Sequence, residues 1–427
     1  MMKRGCLRAA ALFLAATLLS GCGGGAASLI AAEAGAPAAA ATTAPESTAP
    51  ESTPAPTAGQ PETTENTENG QGIDLALDTL TVRQKVGQLF VIRPDSLDLS
   101  LSQDAINDAH SAGVTALSDA MRETLAQYPV GGIAVFGKNV ADPDQLTAFM
   151  QDLQAAGEIG LFTGIDEEGG AISRLANHPA FTLPQYESAA AVGDTGDAEN
   201  AREMGKTIGG YLAQSGLNLD FAPDADVNTN PDNPVIGTRA FSSDPDVAAR
   251  MVEAAVGGFH AAGVMSCIKH FPGHGDTSTD SHYGCATTDK TWAEMLDCEI
   301  KPFAAGVSAQ TDMVMVAHIT TPNVTGDGLP ASLSPTMIGE KLRAELGFDG
   351  VVITDSLAME AITDDFTPGE AAKLALAAGA DLLLMPNGLT EAFDAVADAV
   401  DSGEITMEAL DEHVRRVLTL KQEYGLL

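Results

Sequence analysis

Eight short apolar runs alternate with amphipathic stretches between residues 88 and 385. The stretches place apolar residues at intervals near 3.6, as in 199–212 and in 370–379, which ends at a glycine. Strands alternating with helices predict an α/β domain whose parallel sheet closes into a (β/α)8 barrel of the TIM type. The predicted strands cover residues 88–92, 131–136, 160–165, 217–222, 264–269, 313–318, 350–354 and 381–385.

An open, doubly wound parallel sheet is the alternative architecture. Such a sheet is expected to carry a glycine-rich turn after its first strand. The first apolar run continues as F-V-I-R-P over residues 90–94, without a glycine. The pattern therefore favours the closed barrel.

Polar side chains follow most of the predicted strands at the point where each strand ends. In a barrel of parallel strands these ends meet at one mouth, where loops carry the chemistry. The sequence therefore predicts a single site at this end. The residues concerned are Asp166, Glu167, Glu168, Asp224, Asp226, Lys269, His270, His318 and Asp355.

The densest group of ionisable residues is K-H-F-P-G-H-G-D-T-S-T-D-S-H, over residues 269–282. A loop histidine beside a strand-end carboxylate is a candidate pair of general acid/base and nucleophile. Asp355 can supply the carboxylate. His282 can supply the proton, because the ordinary pKa of histidine is near neutral, and Asp280 can orient its imidazole if the chain turns between them.

Structural explanations exist for each residue taken alone. Asp355 fits a helix N-cap, and a loop histidine is more often structural than catalytic. Lys269 and Arg239 fit simple ion pairs at the rim. Glu167 and Glu168 fit acids that only neutralise neighbouring bases. Their joint position at strand ends favours a functional site.

A metal site is the main chemical alternative. His270, His274, Asp276, Asp280 and His282 are suitable ligand types. However, Phe-Pro-Gly between the first two histidines prevents the helical spacing that would direct both at one ion. The first strand ends in arginine and proline, where barrel metallohydrolases carry histidines. We therefore predict neither a metal nor a cofactor.

The composition restricts partners and cross-links. A net charge of −37 and an isoelectric point near 4.2 argue against nucleic acid and favour a small neutral or weakly charged substrate. Beyond residue 22 the cysteines are Cys267, Cys285 and Cys298, without a C-x-x-C pair, so a disulfide framework or structural zinc is not expected. A bridge between Cys285 and Cys298 stays open.

The first 22 residues predict an export signal, with Lys3 and Arg4 preceding a short apolar segment. The sequence L-S-G-C over 19–22 resembles the bacterial lipobox, which implies cleavage before Cys22 and acylation of its thiol. Residues 23–73, rich in Ala, Thr, Pro and Glu, predict a disordered tether, and 74–427 the catalytic domain. The expected location is extracytoplasmic, with Cys22 holding the protein to the cell membrane.

Four segments, in this order, resemble glycoside hydrolase family 3, and specifically its single-barrel β-N-acetylglucosaminidase branch. T-V-R-Q-K-V-G-Q-L-F (81–90) is similar to the family's opening helix and strand, and I-D-E-E-G-G-A-I-S-R-L (165–175) to its sugar loop. The 269–282 motif marks the glucosaminidase branch, and I-T-D-S-L-A-M-E (353–360) is similar to the nucleophile segment. Ala171 and Glu167 depart from the usual sugar loop.

The resemblance implies roles for individual residues. Asp355 would be the nucleophile, His282 the general acid/base and Asp280 its orienting partner. The residues holding the sugar hydroxyls would be Asp166, Arg174, Arg239, Lys269 and His270.

The expected activity is release of terminal N-acetylglucosamine from cell-wall muropeptides, with retention. Because a histidine that has given up its proton is neutral, it does not repel an anionic acceptor, and phosphate is a possible competitor of water. The alternatives are a β-glucosidase or β-xylosidase of the same family, whose acid/base usually comes from a second domain, and a sugar-binding lipoprotein without turnover.

Overall fold

The computed structural model describes residues 65–279, 284 and 286–427, and its centre is a barrel of eight parallel strands. Seven of the eight predicted apolar runs contain one of these strands, and the run 264–269 overlaps a strand that continues to Phe271. They are short and entirely buried, which is why they read as continuous apolar runs rather than as alternating patterns. In chain order they are β1 Phe90–Ile92, β2 Gly132–Val135, β3 Phe162–Ile165, β4 Leu219–Asp220, β5 Met265–Phe271, β6 Met313–Val316, β7 Val351–Thr354 and β8 Leu383–Leu384.

The strand order confirms the predicted barrel. Neighbours run β7-β6-β5-β4-β3-β2-β1-β8, and β1 pairs with β8 through Phe90 and Leu383. A further parallel bridge between Ile353 and Leu382 links β7 to β8, so that the sheet returns on itself. The strand carboxyl ends therefore surround one mouth.

Helices surround the barrel and cover its outer face with apolar side chains. The amphipathic stretch 370–379 forms the helix Pro368–Ala378, which is capped by Thr367. The helix ends at Gly379, whose φ of 107° lies in the left-handed region that glycine favours. The helices are Glu65–Thr79, Val82–Gln88, Gln103–Asn107, Asp119–Gln127, Pro143–Ala156, Ala189–Gly193, Ala198–Gln214, Pro245–Ala261, Trp292–Asp297, Ile300–Ser308, Thr336–Glu345, Glu360–Thr363, Pro368–Ala378, Leu389–Ser402 and Met407–Glu423.

The first helix, Glu65–Thr79, spans the predicted boundary at residue 74. Its Ile73 and Leu77 are buried, and Asp74 lies 2.6 Å from Arg415 of the helix Met407–Glu423. The predicted export signal, the acylation site Cys22 and most of the predicted tether lie outside the described residues. Between residues 65 and 427, no described helix has both the length and the apolar character needed to cross a membrane.

Two small ribbons extend the barrel at its mouth. Glu167–Gly169 pairs antiparallel with Ile172–Ser173 directly after β3. Ala286–Thr287 pairs in parallel with Ile319–Thr320, which follows β6. The second ribbon fixes the chain immediately after the segment 280–285.

Candidate active site

A cavity of about 660 Å³ opens at the carboxyl ends of the strands. It gathers side chains that are far apart in sequence, including every predicted site residue that the structure describes. Asp280 and His282 lie outside the described residues. The predicted residues that line the cavity are Asp166, Arg174, Arg239, Lys269, His270 and Asp355.

An ionic network joins the ends of β3 and β5. The Lys269 ammonium lies 2.7 Å from Asp166 Oδ1 and 2.6 Å from Glu168 Oε1. The Arg239 guanidinium donates two hydrogen bonds of 2.8 Å to the Glu168 carboxylate. This bidentate pairing gives the side chains a fixed geometry, so that hydroxyl donors and acceptors are held in place before a ligand enters.

The network keeps its members charged. Burial raises the pKa of Glu168, but Arg239 and Lys269 outweigh it and lower that pKa to about 2. Likewise burial raises the pKa of Asp166, and Lys269 and Arg174 bring it below its ordinary value. At neutral pH both acids are therefore carboxylates, in contact with two cations.

His270 is held as a neutral imidazole. Its Nδ1 lies 2.7 Å from Asp226 Oδ2, and its Nε2 lies 3.2 Å from Arg239 Nη2. Because a guanidinium only donates, Nε2 accepts and Nδ1 donates to Asp226. Burial and the positive charge of Arg239 lower the pKa of His270 to about 4.

Asp224 adjoins the hydrogen-bonded pair of His270 and Asp226. Burial and the neighbouring Asp226 raise the pKa of Asp224 to about 7, so its carboxyl group is partly protonated at neutral pH. Asp224, Asp226 and His270 bring three possible metal-ligand atoms within 4.8 Å. However, the His270 nitrogen already donates to Asp226, and the Arg239 guanidinium lies 3.6 Å from Asp224. A protein cation therefore already neutralises this group.

Asp355 follows β7 on a firmly held turn. Its backbone N–H donates to Val316 O at 2.9 Å, and the Ser356 N–H donates to Asp355 Oδ1 at 2.7 Å. The Ser356 carbonyl accepts from His318 Nε2 at 2.8 Å, and the Ser332 hydroxyl lies 2.7 Å from His318 Nδ1. His318, one of the residues at the predicted strand ends, thus braces the turn that carries Asp355.

The segment before residue 280 is anchored rather than loose. The His274 N–H donates to Asp226 Oδ1 at 2.5 Å, and Asn233 Nδ2 donates to His274 O at 2.8 Å. Thr277 Oγ1 lies 2.7 Å from His274 Nδ1. Asp276 lies 3.2 Å from Lys290. His274 and Asp276, two of the five residues of the alternative metal set, are therefore engaged in holding the loop.

The two glycines of this loop serve different needs. Gly273 has a φ of 122°, in the left-handed region that glycine favours. At Gly275 the requirement is space, because a Cβ would lie 1.9 Å from Val227 O. Gly275 is needed because two backbones approach closely, which a sequence pattern does not reveal.

Glu167 holds the sugar loop internally. Its carboxylate accepts from the backbone N–H groups of Leu175 and Ala176 at 2.9 and 2.8 Å, and from the Tyr211 hydroxyl at 2.9 Å. Burial raises the pKa of Glu167 despite these bonds. The side chain thus shapes the loop carrying Asp166 and Arg174, instead of neutralising bases as the alternative interpretation suggests.

Sequence reasoning placed Glu168, Asp224 and Asp226 at strand ends but gave them no role in binding the substrate. It missed other residues of the site. Arg93 and Phe136 also line the cavity, after β1 and β2. Their proximity depends on strand pairing, so a single sequence gives little indication of it.

Comparisons with known proteins agree with this geometry. Residues 81–420 match the model of the glycosyl hydrolase family 3 N-terminal domain. The chain is 35% identical to beta-hexosaminidase A of Pseudoalteromonas piscicida over 335 residues, covering 73% of this chain and 56% of that protein. It is 36% identical to beta-hexosaminidase LpqI of Mycobacterium tuberculosis over 321 residues, covering 72% and 80%.

A solved structure is similar over the same region. It is a glycoside hydrolase family 3 β-N-acetylglucosaminidase from Paenibacillus sp. FPU-7, with a TM-score of 0.74 and 38% identity, covering 82% of this chain and 63% of that one. The chain thus spans less than two thirds of the Pseudoalteromonas and Paenibacillus proteins. The match over most of the chain, the barrel and the cavity lead to one conclusion: the chain belongs to glycosyl hydrolase family 3.

Proposed function

We propose that the protein is an exo-acting β-N-acetylglucosaminidase that releases terminal N-acetylglucosamine with retention. The observation that carries this proposal is the position of Asp355 on a rigid strand end, in the same cavity as the Asp166–Lys269–Glu168–Arg239 network. A fixed carboxylate beside fixed hydroxyl ligands suits attack on a sugar's anomeric carbon. The relatives named beta-hexosaminidase support the sugar class.

The proposed reaction has two halves. Asp355 attacks the anomeric carbon, the bond to the leaving oxygen breaks, and His282 donates its proton to that oxygen. The resulting glycosyl ester is opened by water, whose proton passes to the neutral His282. Asp280 fixes the imidazole tautomer, as carboxylates do in other dyads.

The same cycle accommodates a second acceptor. A neutral His282 does not repel an anion, so phosphate is able to replace water in the second half. A β-glucoside phosphorylase, BglX, is 26% identical with a TM-score of 0.73, which supports testing this option. The readout is the product at high phosphate: sugar 1-phosphate indicates phosphorolysis, and free sugar alone excludes it.

The cellular setting is proposed on the sequence. We infer acylation at Cys22, an extracytoplasmic location and muropeptides from cell-wall turnover as substrate. Cys22→Ala is expected to move the protein from the membrane fraction to the soluble fraction. Retention of the variant at the membrane would contradict the anchor.

The experiment that tests the proposed activity compares two nitrophenyl substrates. The N-acetylglucosaminide is expected to be hydrolysed at least about 100-fold faster than the glucoside, which corresponds to about 3 kcal/mol of discrimination through contacts to the acetamido group. The Asp355→Ala variant, purified in parallel, controls for contaminating hydrolases. Preference for the glucoside would favour a β-glucosidase, and no turnover of either substrate would favour a sugar-binding protein.

A further inference from the structure

Lys290 lies between two carboxylates outside the cavity. Its ammonium nitrogen lies 2.5 Å from Glu299 Oε1 and 3.2 Å from Asp276 Oδ1. Only 1% of the Glu299 side chain is exposed, compared with 27% of Lys290 and 32% of Asp276. None of these three described residues lines the cavity. We call the three together the Lys290 ion bridge.

The ion bridge is charged at neutral pH. Burial lowers the pKa of Lys290, but hydrogen bonds and charges from Glu299 and Asp276 outweigh it and raise that pKa above its ordinary value. Exposed ion pairs contribute little to stability, but an ion pair with a buried member differs, because losing the cation leaves that carboxylate without its counter-charge. The ion bridge is therefore more than a surface contact.

The exposed end of the ion bridge joins two flanks of one loop. Asp276 follows β5, and its carboxylate also accepts from the hydroxyls of Thr229 and Thr288, both at 3.3 Å. The Thr288 N–H donates to Thr320 O at 3.1 Å, next to the small parallel ribbon that follows β6. Lys290 lies two residues further along the chain. The flank before residue 277 and the flank after residue 287 are thus fixed to each other.

The buried end of the ion bridge is held by the barrel. Glu299 directly precedes the helix Ile300–Ser308. This helix packs on β5 through Phe303, whose ring centroid lies 5.3 Å from that of Phe271. A Cβ on Gly273 would lie 2.7 Å from Glu299 Cβ, so the Glu299 side chain also packs against the start of the loop. The barrel therefore fixes the position from which the ion bridge extends.

We propose that Lys290 is a positioning residue, whose ion bridge holds both flanks of the segment from which His282 donates its proton. This inference rests on the proposed role of His282. A proton donor must lie about 3 Å from the oxygen that it protonates, and a displacement of about 1 Å costs about 100-fold in rate. Asp355 is held separately, by β6 and Ser356. Loss of the ion bridge therefore impairs proton donation and spares attack by Asp355.

The test compares two N-acetylglucosaminides whose leaving groups differ in their need for a proton. In N,N′-diacetylchitobiose the leaving oxygen becomes a sugar hydroxyl and must be protonated, whereas dinitrophenolate departs as an anion. The quantity measured is kcat/KM, because it reports the first half of the reaction, before water enters.

The variants change the charge of Lys290 or retain it. Lys290→Met removes the charge and keeps the length of the side chain, and Lys290→Arg keeps the charge. Lys373→Met is the matched control. The side chain of Lys373 is 32% exposed and pairs with Glu404 at 3.0 Å, and it does not line the cavity.

We expect Lys290→Met to lower kcat/KM about 10- to 100-fold on diacetylchitobiose and less than about threefold on the dinitrophenyl substrate. Lys290→Arg should restore cleavage of diacetylchitobiose to within about threefold of the wild type, and Lys373→Met should match the wild type on both substrates. Equal losses on both substrates in Lys290→Met, or no loss on either, overturn the inference.

A second variant decides the question if Lys290→Met does not fold. Asp276→Asn weakens the exposed end of the ion bridge and leaves the buried pair of Lys290 and Glu299 in place. It should lower kcat/KM about 10-fold on diacetylchitobiose, again with less than about threefold loss on the dinitrophenyl substrate. A loss that is equal on both substrates, or absent from both, overturns the inference here as well.

The same two substrates separate the inference from its basis. If His282→Ala loses activity selectively on diacetylchitobiose and Lys290→Met does not, the positioning inference fails and the acid role of His282 survives. If His282→Ala loses activity equally on both, the acid role fails and the inference fails with it. If the wild type cleaves neither substrate, the proposed function itself fails.

Discussion

The two ends of the barrel both bury charged side chains, but they differ in how completely those side chains are hydrogen-bonded. At the closed end, opposite the cavity, the Asp381 carboxylate accepts from Arg416 at 2.8 Å, from His413 at 2.9 Å and from Val352 N–H at 2.9 Å, and it also contacts Arg343. At the mouth, Arg93, Arg174 and Asp224 each keep a buried nitrogen or oxygen without a hydrogen-bond partner in the described chain.

This difference indicates that the closed end serves stability and that the mouth binds a ligand. Native proteins rarely leave a buried polar atom unpaired, so clusters of such atoms identify places where a ligand is expected. Asp312, also at the closed end, has both oxygens bonded, to His260 at 2.8 Å and Tyr424 at 2.9 Å. Asp381 and Asp312 at the closed end thus have both oxygens bonded, whereas described residues at the mouth keep unpaired atoms.

The largest expected effect is at the mouth. Asp355→Ala should lower kcat on every N-acetylglucosaminide by about 10⁴-fold or more, because no covalent intermediate can form. Thermal unfolding should change much less than activity, although the Ser356 N–H loses Asp355 Oδ1 as its acceptor. Steady-state kinetics and a melting curve on the same sample check both. Substantial residual turnover would move the nucleophile elsewhere.

His282→Ala should lower activity about 10²- to 10⁴-fold on glycosides whose leaving oxygen needs a proton. On a dinitrophenyl glycoside, whose leaving group departs as an anion, the first half of the reaction should be nearly unaffected. The measurement is kcat/KM for both substrates. Equal loss on both would remove His282 from the acid role.

A matched pair of variants contrasts the two ends directly. Glu168→Gln weakens the pairing of Arg239 and Lys269 and should lower kcat/KM about 100-fold, since we propose that these residues hold the sugar hydroxyls. Asp381→Asn should leave kcat/KM of the folded protein within about twofold. Removing one partner of a buried ion pair costs about 3–5 kcal/mol, so both variants should be less stable to denaturant.

The contrast would fail in two ways. Loss of activity in folded Asp381→Asn would show that the closed end communicates with the site. Full activity in Glu168→Gln would show that the network at the mouth is only structural.

The smallest expected effect concerns pH and the closed end. The hydrogen bond to Asp312 raises the pKa of His260 above its ordinary value of 6.5. The free energy of folding that protonated His260 contributes is therefore fully present below pH 6.5. It is lost as pH rises through the pKa of His260 in the folded protein. The melting temperature of the wild type should exceed that of His260→Gln most near pH 5.5 and least near pH 9. A difference that grows with pH would contradict this.

The sequence predicted the frame of the molecule well. All eight strands were found, because buried parallel strands are continuous apolar runs bounded by turn residues. The polar residues after those strands identified the site, because topology alone brings strand ends together. These signals are local in sequence, and so one sequence is sufficient to detect them.

What the sequence did not predict depends on contacts between distant segments. The brace formed by His318, the close approach at Gly275 and the stacking of Arg93 on Phe136 each join residues from different strands or loops. Glu167 and Glu168 are adjacent and chemically alike, yet one shapes the sugar loop and the other pairs with Arg239. Only the fold distinguishes them.

The central claim is that Asp355 forms a covalent bond to N-acetylglucosamine. A fluorinated N-acetylglucosaminide with an activated leaving group slows the second half of the reaction, so the intermediate accumulates and peptide mass spectrometry can locate it. We predict one equivalent of sugar on the peptide that contains Asp355, with the fragment ions assigning it to that carboxylate. Sugar attached to a different residue would contradict the account.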